Sequence, residues 1–138
     1  MLAVAAGCAT PAPQAVLPYR VEGDAIREPL APAPGDAVRG KAVVVSRDSN
    51  CLLCHAAPDS GVRVMGNVGQ SLAGVGARLT EGQLRLRIVD SMRLNRDTMM
   101  PSYYRTDGLN QVAEAWRGQP ILTAQQVEDT VAYLLTLR

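Results

Sequence analysis

Cys51-Leu52-Leu53-Cys54-His55 is the stretch on which the fold turns. Thiols three residues apart share one face of a helical turn, and the histidine that follows stands beside them. Three chemistries use such spacing. A redox dithiol opens a helix after a strand in a βαβ unit, and no such alternation surrounds this segment. A structural zinc ion needs four ligands, commonly Cys or His, and beyond the motif the chain has only Cys8, far off near its start. What remains is covalent attachment of haem c, with both thiols bonded to porphyrin vinyl groups and the histidine on the iron. Cys51, Cys54 and His55 are the expected attachment and proximal residues of one haem.

His55 is the only histidine in the chain. Two-histidine ligation within the chain is therefore excluded, which leaves methionine, lysine, cysteine, an exogenous group or nothing on the other side of the iron. A thioether is the usual choice in cytochromes c because it stabilises ferrous iron. Five methionines compete: Met1, Met65, Met92, Met99 and Met100. Met1 belongs to the leader. Met92 falls on the apolar stripe of a helix, where a core role is expected. Met65 lies in the glycine-rich segment 61–76, which suits a loop at the haem edge. Met99 and Met100 lie in a long irregular stretch, and Met100 precedes Pro101, which biases it toward extended backbone. The expected metal ligands are His55 and Met100, with Met99 as the rival that packs on the haem rim.

The rest of the composition fits that expectation. A length of 138 residues allows one domain with some chain left over. A net charge of +1 lacks the basic excess of a nucleic-acid binder. The chain has no Phe, one Trp and four Tyr, so a buried macrocycle would supply bulk that the side chains do not. No apolar run reaches the roughly 20 residues that span a bilayer. Residues 1–8 are small and apolar, and Ala5-Ala6-Gly7-Cys8 resembles the end of a bacterial lipoprotein signal. Two readings stay open: a lipid anchor through Cys8, or a plain signal remnant. Both imply export to the periplasm. Three cysteines, an odd number, do not suggest a disulfide framework.

Residues 9–35 are proline-rich, with Pro11, Pro13, Pro18, Pro29, Pro32 and Pro34. They are expected to form an extended arm that wraps a surface, with the globular part starting at Asp36 and running to 138. A helix is expected from Asp36 to about Arg47, buried through Val38, Ala42 and Val45. Thr80 and Gln83 have capping-box spacing before a helix lined by Leu84, Ile88 and Met92. Thr123 and Gln126 repeat that spacing before a helix lined by Val127, Val131, Leu134 and Leu135. Between Leu94 and Gln119 the chain is mostly irregular, and a loop that long is usually functional. The expectation is a small all-α domain.

These elements resemble the class I cytochrome c domain. More narrowly, Asn50-Cys51-Leu52-Leu53-Cys54-His55, Met100-Pro101-Ser102-Tyr103-Tyr104 and Pro120-Ile121-Leu122-Thr123-Ala124-Gln125-Gln126-Val127-Glu128-Asp129 resemble the SoxX family. These are the small monohaem subunits of the SoxAX cytochrome complexes of sulfur-oxidising bacteria. Val21-Glu22-Gly23-Asp24-Ala25-Ile26 fits as well, so the likeness covers nearly all of the chain after the leader. It implies a class I cytochrome c-like domain with an extended N-terminal arm. Cys51 and Cys54 then become thioethers, and His55 and Met100 the iron ligands. The likeness also puts Gly40 where the first and last helices cross, with Tyr133 nearby. Many class I members have Gly-Pro where this chain reads Gly69-Gln70, and the proline carbonyl holds the proximal imidazole; Gln70 is expected to offer its own carbonyl. Arg78 is a candidate partner for a haem propionate, against an ordinary surface arginine.

The implied role is electron transfer in periplasmic thiosulfate oxidation. A SoxA-like cytochrome subunit would join thiosulfate to a cysteine of a SoxYZ-type carrier protein, and this chain would take up the released electrons for a downstream acceptor. Working alone it would have no such activity. Two other readings stand beside this one: a free electron shuttle, and a haem protein that binds a gas or peroxide.

Overall fold

The structure, a computed structural model, describes residues 15–138. Cys8 and the expected leader at residues 1–8 lie outside that range, as does the first part of the arm. Asp36 caps the first helix, α1 (Ala37–Val45), its carboxylate accepting from the Arg39 amide at 2.8 Å. That bond satisfies one donor that every helix start leaves free. One turn of helix, α2 (Cys51–Cys54), carries the two motif cysteines, and another, α3 (Val75–Arg78), follows the glycine-rich loop. Both expected capping boxes are present, opening α4 (Glu81–Asp90) at Thr80 and α5 (Ala124–Thr136) at Thr123. Among the described residues the only β pairing is an isolated bridge between Glu22 and Ala25. The fold is all-α.

α1 and α5 cross at Gly40. A Cβ there would run into the backbone carbonyl of Asp129 and against the Cβ of Tyr133, so only glycine allows this approach. The crossing implied by the family likeness is therefore present. The buried face of α1 differs from the one expected: Gly40 and Val44 are buried, whereas Val38, Ala42 and Val45 are exposed, Val38 to 81%. The helix docks backbone to backbone through its glycine, a contact that apolar periodicity does not register. It also ends at Val45, where the Ser46 amide turns back to the Val43 carbonyl. α5 buries Val127, Val131 and Leu134 as expected, while Leu135 is only partly covered.

The arm requires a correction. It is extended, but packing does not begin at Asp36: Ala25, Ile26 and Leu30 are buried, Ile26 completely. A pair of buried charges draws the segment in. Arg85, on α4, has a fully buried side chain. Its guanidinium donates to both carboxylate oxygens of Glu128 on α5, at 2.8 Å each, and to the Ile26 carbonyl at 2.7 Å. The Leu30 amide donates to the same carboxylate at 2.9 Å. Charges taken out of water persist only when paired and hydrogen-bonded this fully. The arm from residue 25 onward is thus a third partner of α4 and α5.

Candidate haem site

The turn before α2 sets the cysteines. Ser49 is buried and its hydroxyl donates to the Val43 carbonyl at 2.6 Å, which fixes the exit from α1. Asn50 then takes left-handed backbone (φ 54°), which asparagine tolerates better than most residues. Cys51 and Cys54 follow as half-buried free thiols on a single helical turn.

His55 leaves α2 with its amide on the Cys51 carbonyl at 3.0 Å. Its Nδ1 stands 2.6 Å from the carbonyl oxygen of Gln70. A carbonyl can only accept, so Nδ1 carries the proton and Nε2 keeps its lone pair for a metal. The backbone carbonyl at the non-proline position is therefore in place. Three amides lace this loop onto α2: Gly66 to Leu52 at 2.8 Å, Gly69 to Cys54 at 2.7 Å and Leu72 to Ala56 at 2.8 Å. Gly69 lies flat against the imidazole, and a Cβ there would collide with the ring.

Opposite stands the segment with Met99 and Met100. The Met100 amide donates to Thr98 Oγ1 at 3.2 Å, and its carbonyl accepts from Ser91 Oγ at 2.6 Å. Met100 is half-buried against the core, whereas Met99 is 76% exposed. Both line a cavity of about 540 Å³ that Cys51, Cys54, His55, Val68, Pro101, Tyr103 and Ile121 also line. That volume falls in the range of about 300–1,000 Å³ usual for cofactor pockets. Two thiols, an imidazole nitrogen free to coordinate and a thioether thus converge on one apolar space. The residues fit a covalently bound porphyrin.

The other candidates lie elsewhere. Met65 does not line the cavity; its sulfur accepts from the Ala57 amide at 3.2 Å and lies 3.6 Å from the Ser60 hydroxyl, bracing its own loop. Met92, expected in the core, falls past the end of α4 on a 3-10 turn and is 37% exposed, its sulfur accepting from Arg105 at 3.1 Å. Arg78 is exposed and absent from the cavity lining, and its guanidinium donates to the backbone carbonyls of Ala73 at 2.6 Å and Ser71 at 3.2 Å. Those bonds brace the loop that follows Gln70.

Tyr103 had no role in the sequence beyond its place in the Met100-Pro101-Ser102-Tyr103-Tyr104 box. It is buried, lines the cavity, and donates from its hydroxyl to the Ser49 carbonyl at 2.7 Å. Burial pushes its phenol well above the usual value, so it remains a donor. A tyrosine three residues past a candidate ligand was the available signal.

None of the curated proteins matches the chain. Residues 37–138 match the cytochrome c family. Among solved structures, the crystal structure of SoxXA from P. pantotrophus contains a chain that superposes with a TM-score of 0.78 at 31% identity, over 91% of this chain and 98% of that one. With most of its length matched on both counts, the chain belongs to the cytochrome c family, as a SoxX-type member whose cofactor is haem c.

Proposed function

We propose that this chain is the electron-accepting monohaem subunit of a SoxAX-type complex, paired with a SoxA-like cytochrome that carries the substrate chemistry. The observation that carries the proposal is the pairing inside one cavity of His55, its Nδ1 proton committed to Gln70, with the thioether of Met100. Cys51 and Cys54 would hold the haem as thioethers, and His55 and Met100 would be the ligands of its iron. When bound, haem c supplies a one-electron ferric/ferrous couple.

The rest is the work of this chain's own side chains. His55 keeps its ring orientation because its Nδ1–H donates to the Gln70 carbonyl and Gly69 leaves no room to swing. Met100 is fixed through its backbone on both sides and offers a soft, neutral donor, which favours the reduced state. Among the described residues no group of three or more His, Cys, Asp or Glu could hold a further metal ion. Substrate chemistry is assigned to the partner. There a carrier thiol and thiosulfate would combine to a cysteine S-thiosulfonate, releasing one proton and two electrons. This chain would take those electrons one at a time and pass them to a downstream acceptor. We place this work in the periplasm, with Cys8 as a possible lipid attachment point.

Co-expression with a SoxA-like subunit tests the proposal. The pair should elute from gel filtration as one heterodimer, since a lasting interface buries at least about 1,000 Å². The pair should conjugate thiosulfate to a carrier thiol, whereas this chain alone should accept electrons without conjugating. Two separate monomers would remove the partnership, and conjugation by this chain alone would remove the division of labour.

A further inference from the structure

We propose that Tyr103 is a positioning residue that fixes the gap across the haem cavity, and so decides how readily Met100 yields its place to another ligand. This rests on the assignment of Met100 as the distal ligand. Tyr103 is anchored at three points that belong to different parts of the molecule. Its amide donates to the Ile88 carbonyl of α4 at 3.0 Å, and its carbonyl accepts from the Leu122 amide at 2.9 Å. Its ring then reaches the other wall, where the hydroxyl donates to the Ser49 carbonyl at 2.7 Å. Ser49 stands two residues before Cys51, whose Sγ lies 4.0 Å from the same hydroxyl. Pro101 and Ser102 are all that separate Tyr103 from Met100. One phenol thus ties the backbone that carries the methionine to the turn that carries the attachment cysteine. Nothing else in the 99–104 segment reaches that turn with a hydrogen bond among the described residues.

Tyr104 provides the comparison. It is as deeply buried, and its hydroxyl also makes one backbone hydrogen bond, accepting from the Leu17 amide at 2.8 Å. That bond leads to the N-terminal arm and away from the cavity. Loss of either bond should cost folding stability, but only loss of the first should loosen the distal wall.

The experiment is imidazole binding to the oxidised, haem-bearing full-length chain, read from loss of the weak sulfur-to-iron absorption band. Tyr103→Phe keeps the ring and removes the hydroxyl. It should bind imidazole about fivefold to tenfold more tightly than wild type, because the state with methionine displaced is then closer in free energy. Tyr104→Phe should melt lower and bind imidazole as wild type does. Equal shifts in both variants, or none in Tyr103→Phe, would overturn the proposal. If Tyr103→Phe does not accumulate, tyrosine can be replaced by fluorotyrosine in the wild-type chain. The more acidic phenol is a stronger donor and should weaken imidazole binding; unchanged or tighter binding overturns the proposal. The wild-type spectrum separates the two layers. Absence of the band means that Met100 is not the ligand, whereas a normal band with a neutral Tyr103→Phe sinks the positioning role alone.

Discussion

The two walls of the haem cavity are held in opposite ways. On the histidine side the hydrogen bonds that lace the loop onto α2 and orient the imidazole lie within Cys51–Leu72: Gly66 on Leu52, Gly69 on Cys54, Leu72 on Ala56 and His55 on Gln70. On the methionine side the supports come from separate elements. Ser91 holds the Met100 carbonyl, Ile88 the Tyr103 amide, and Leu122 donates to the Tyr103 carbonyl. One wall is a local product of some twenty residues; the other exists only when α4 and the segment before α5 are already in position. A region held by several separate elements loses support when any one of them opens locally. The methionine side should therefore be the first to yield.

The largest test strikes the scaffold under the methionine wall. Arg85→Ala leaves Glu128 buried with only the Leu30 amide as a hydrogen-bond donor. Breaking a buried pair from one side costs about 3–5 kcal/mol, and urea titration should show a loss of that order. The sulfur-to-iron band should disappear at lower urea than the helical signal, with the histidine still on the iron. Simultaneous loss of all signals would erase the distinction between the walls.

Met100→Ala comes next. It should abolish that band, lower the reduction potential through loss of the thioether, and cost about 2 kcal/mol, near the low end for a partly buried methionine. Met99→Ala should leave band and potential in place, since its side chain is mostly in solvent. Spectra and redox titration of the two variants decide which methionine makes the distal wall.

The same division governs what the sequence could convey. The histidine wall was legible because its chemistry is local: a motif, a glycine-rich loop and a carbonyl within fifteen residues of the imidazole. The capping boxes at Thr80 and Thr123 were legible for the same reason. What was missed depends on contacts between remote residues. Arg85 and Glu128 are 43 residues apart, and nothing in either neighbourhood announces a buried pair. Their pull on Ile26 and Leu30 moved the start of the core into the arm. In α1 the apolar stripe through Val38, Ala42 and Val45 pointed to the wrong face, because a glycine contact leaves no hydrophobic mark.

Gly69→Ala sharpens the comparison from the other side. The added methyl collides with the imidazole, and overpacking of this kind costs about 1–3 kcal/mol. The strain should fall on the histidine, so proton NMR of the oxidised, haem-bearing protein should show shifted imidazole resonances. Unlike Arg85→Ala, this variant should lose its histidine-side signature while α4 stays intact. A variant indistinguishable from wild type would mean that the loop can shift, and that the histidine wall is less rigid than its hydrogen bonds imply.

The smallest effect belongs to Asp129, which touches neither wall. Its buried carboxylate joins α5 to α1, accepting from Arg39 Nε at 2.7 Å and Nη2 at 2.8 Å, from Gln125 at 2.9 Å and from the Asp36 amide at 2.9 Å. The hydrogen bonds from Arg39, above all, hold its acidity below the ordinary carboxylate value against the opposing effect of burial. A carboxylate whose folded pKa is lowered stabilises the fold fully above its unfolded value, about 3.9. That contribution fades as pH drops through the gap between the two values and is gone below the folded one. Asp129→Asn should therefore unfold more easily than wild type at neutral pH, by less than Gly69→Ala, and the difference should shrink to nothing in strong acid. Throughout, the sulfur-to-iron band and the imidazole resonances should match wild type wherever the protein is folded. Thermal melts from neutral pH into strong acid, with spectra taken at each point, make the check. A difference that persists unchanged in acid would mean that shape, and not charge, makes Asp129 matter. A shifted band would mean that the α1–α5 crossing reaches the methionine wall, and that the two walls share a support through the crossing at Gly40.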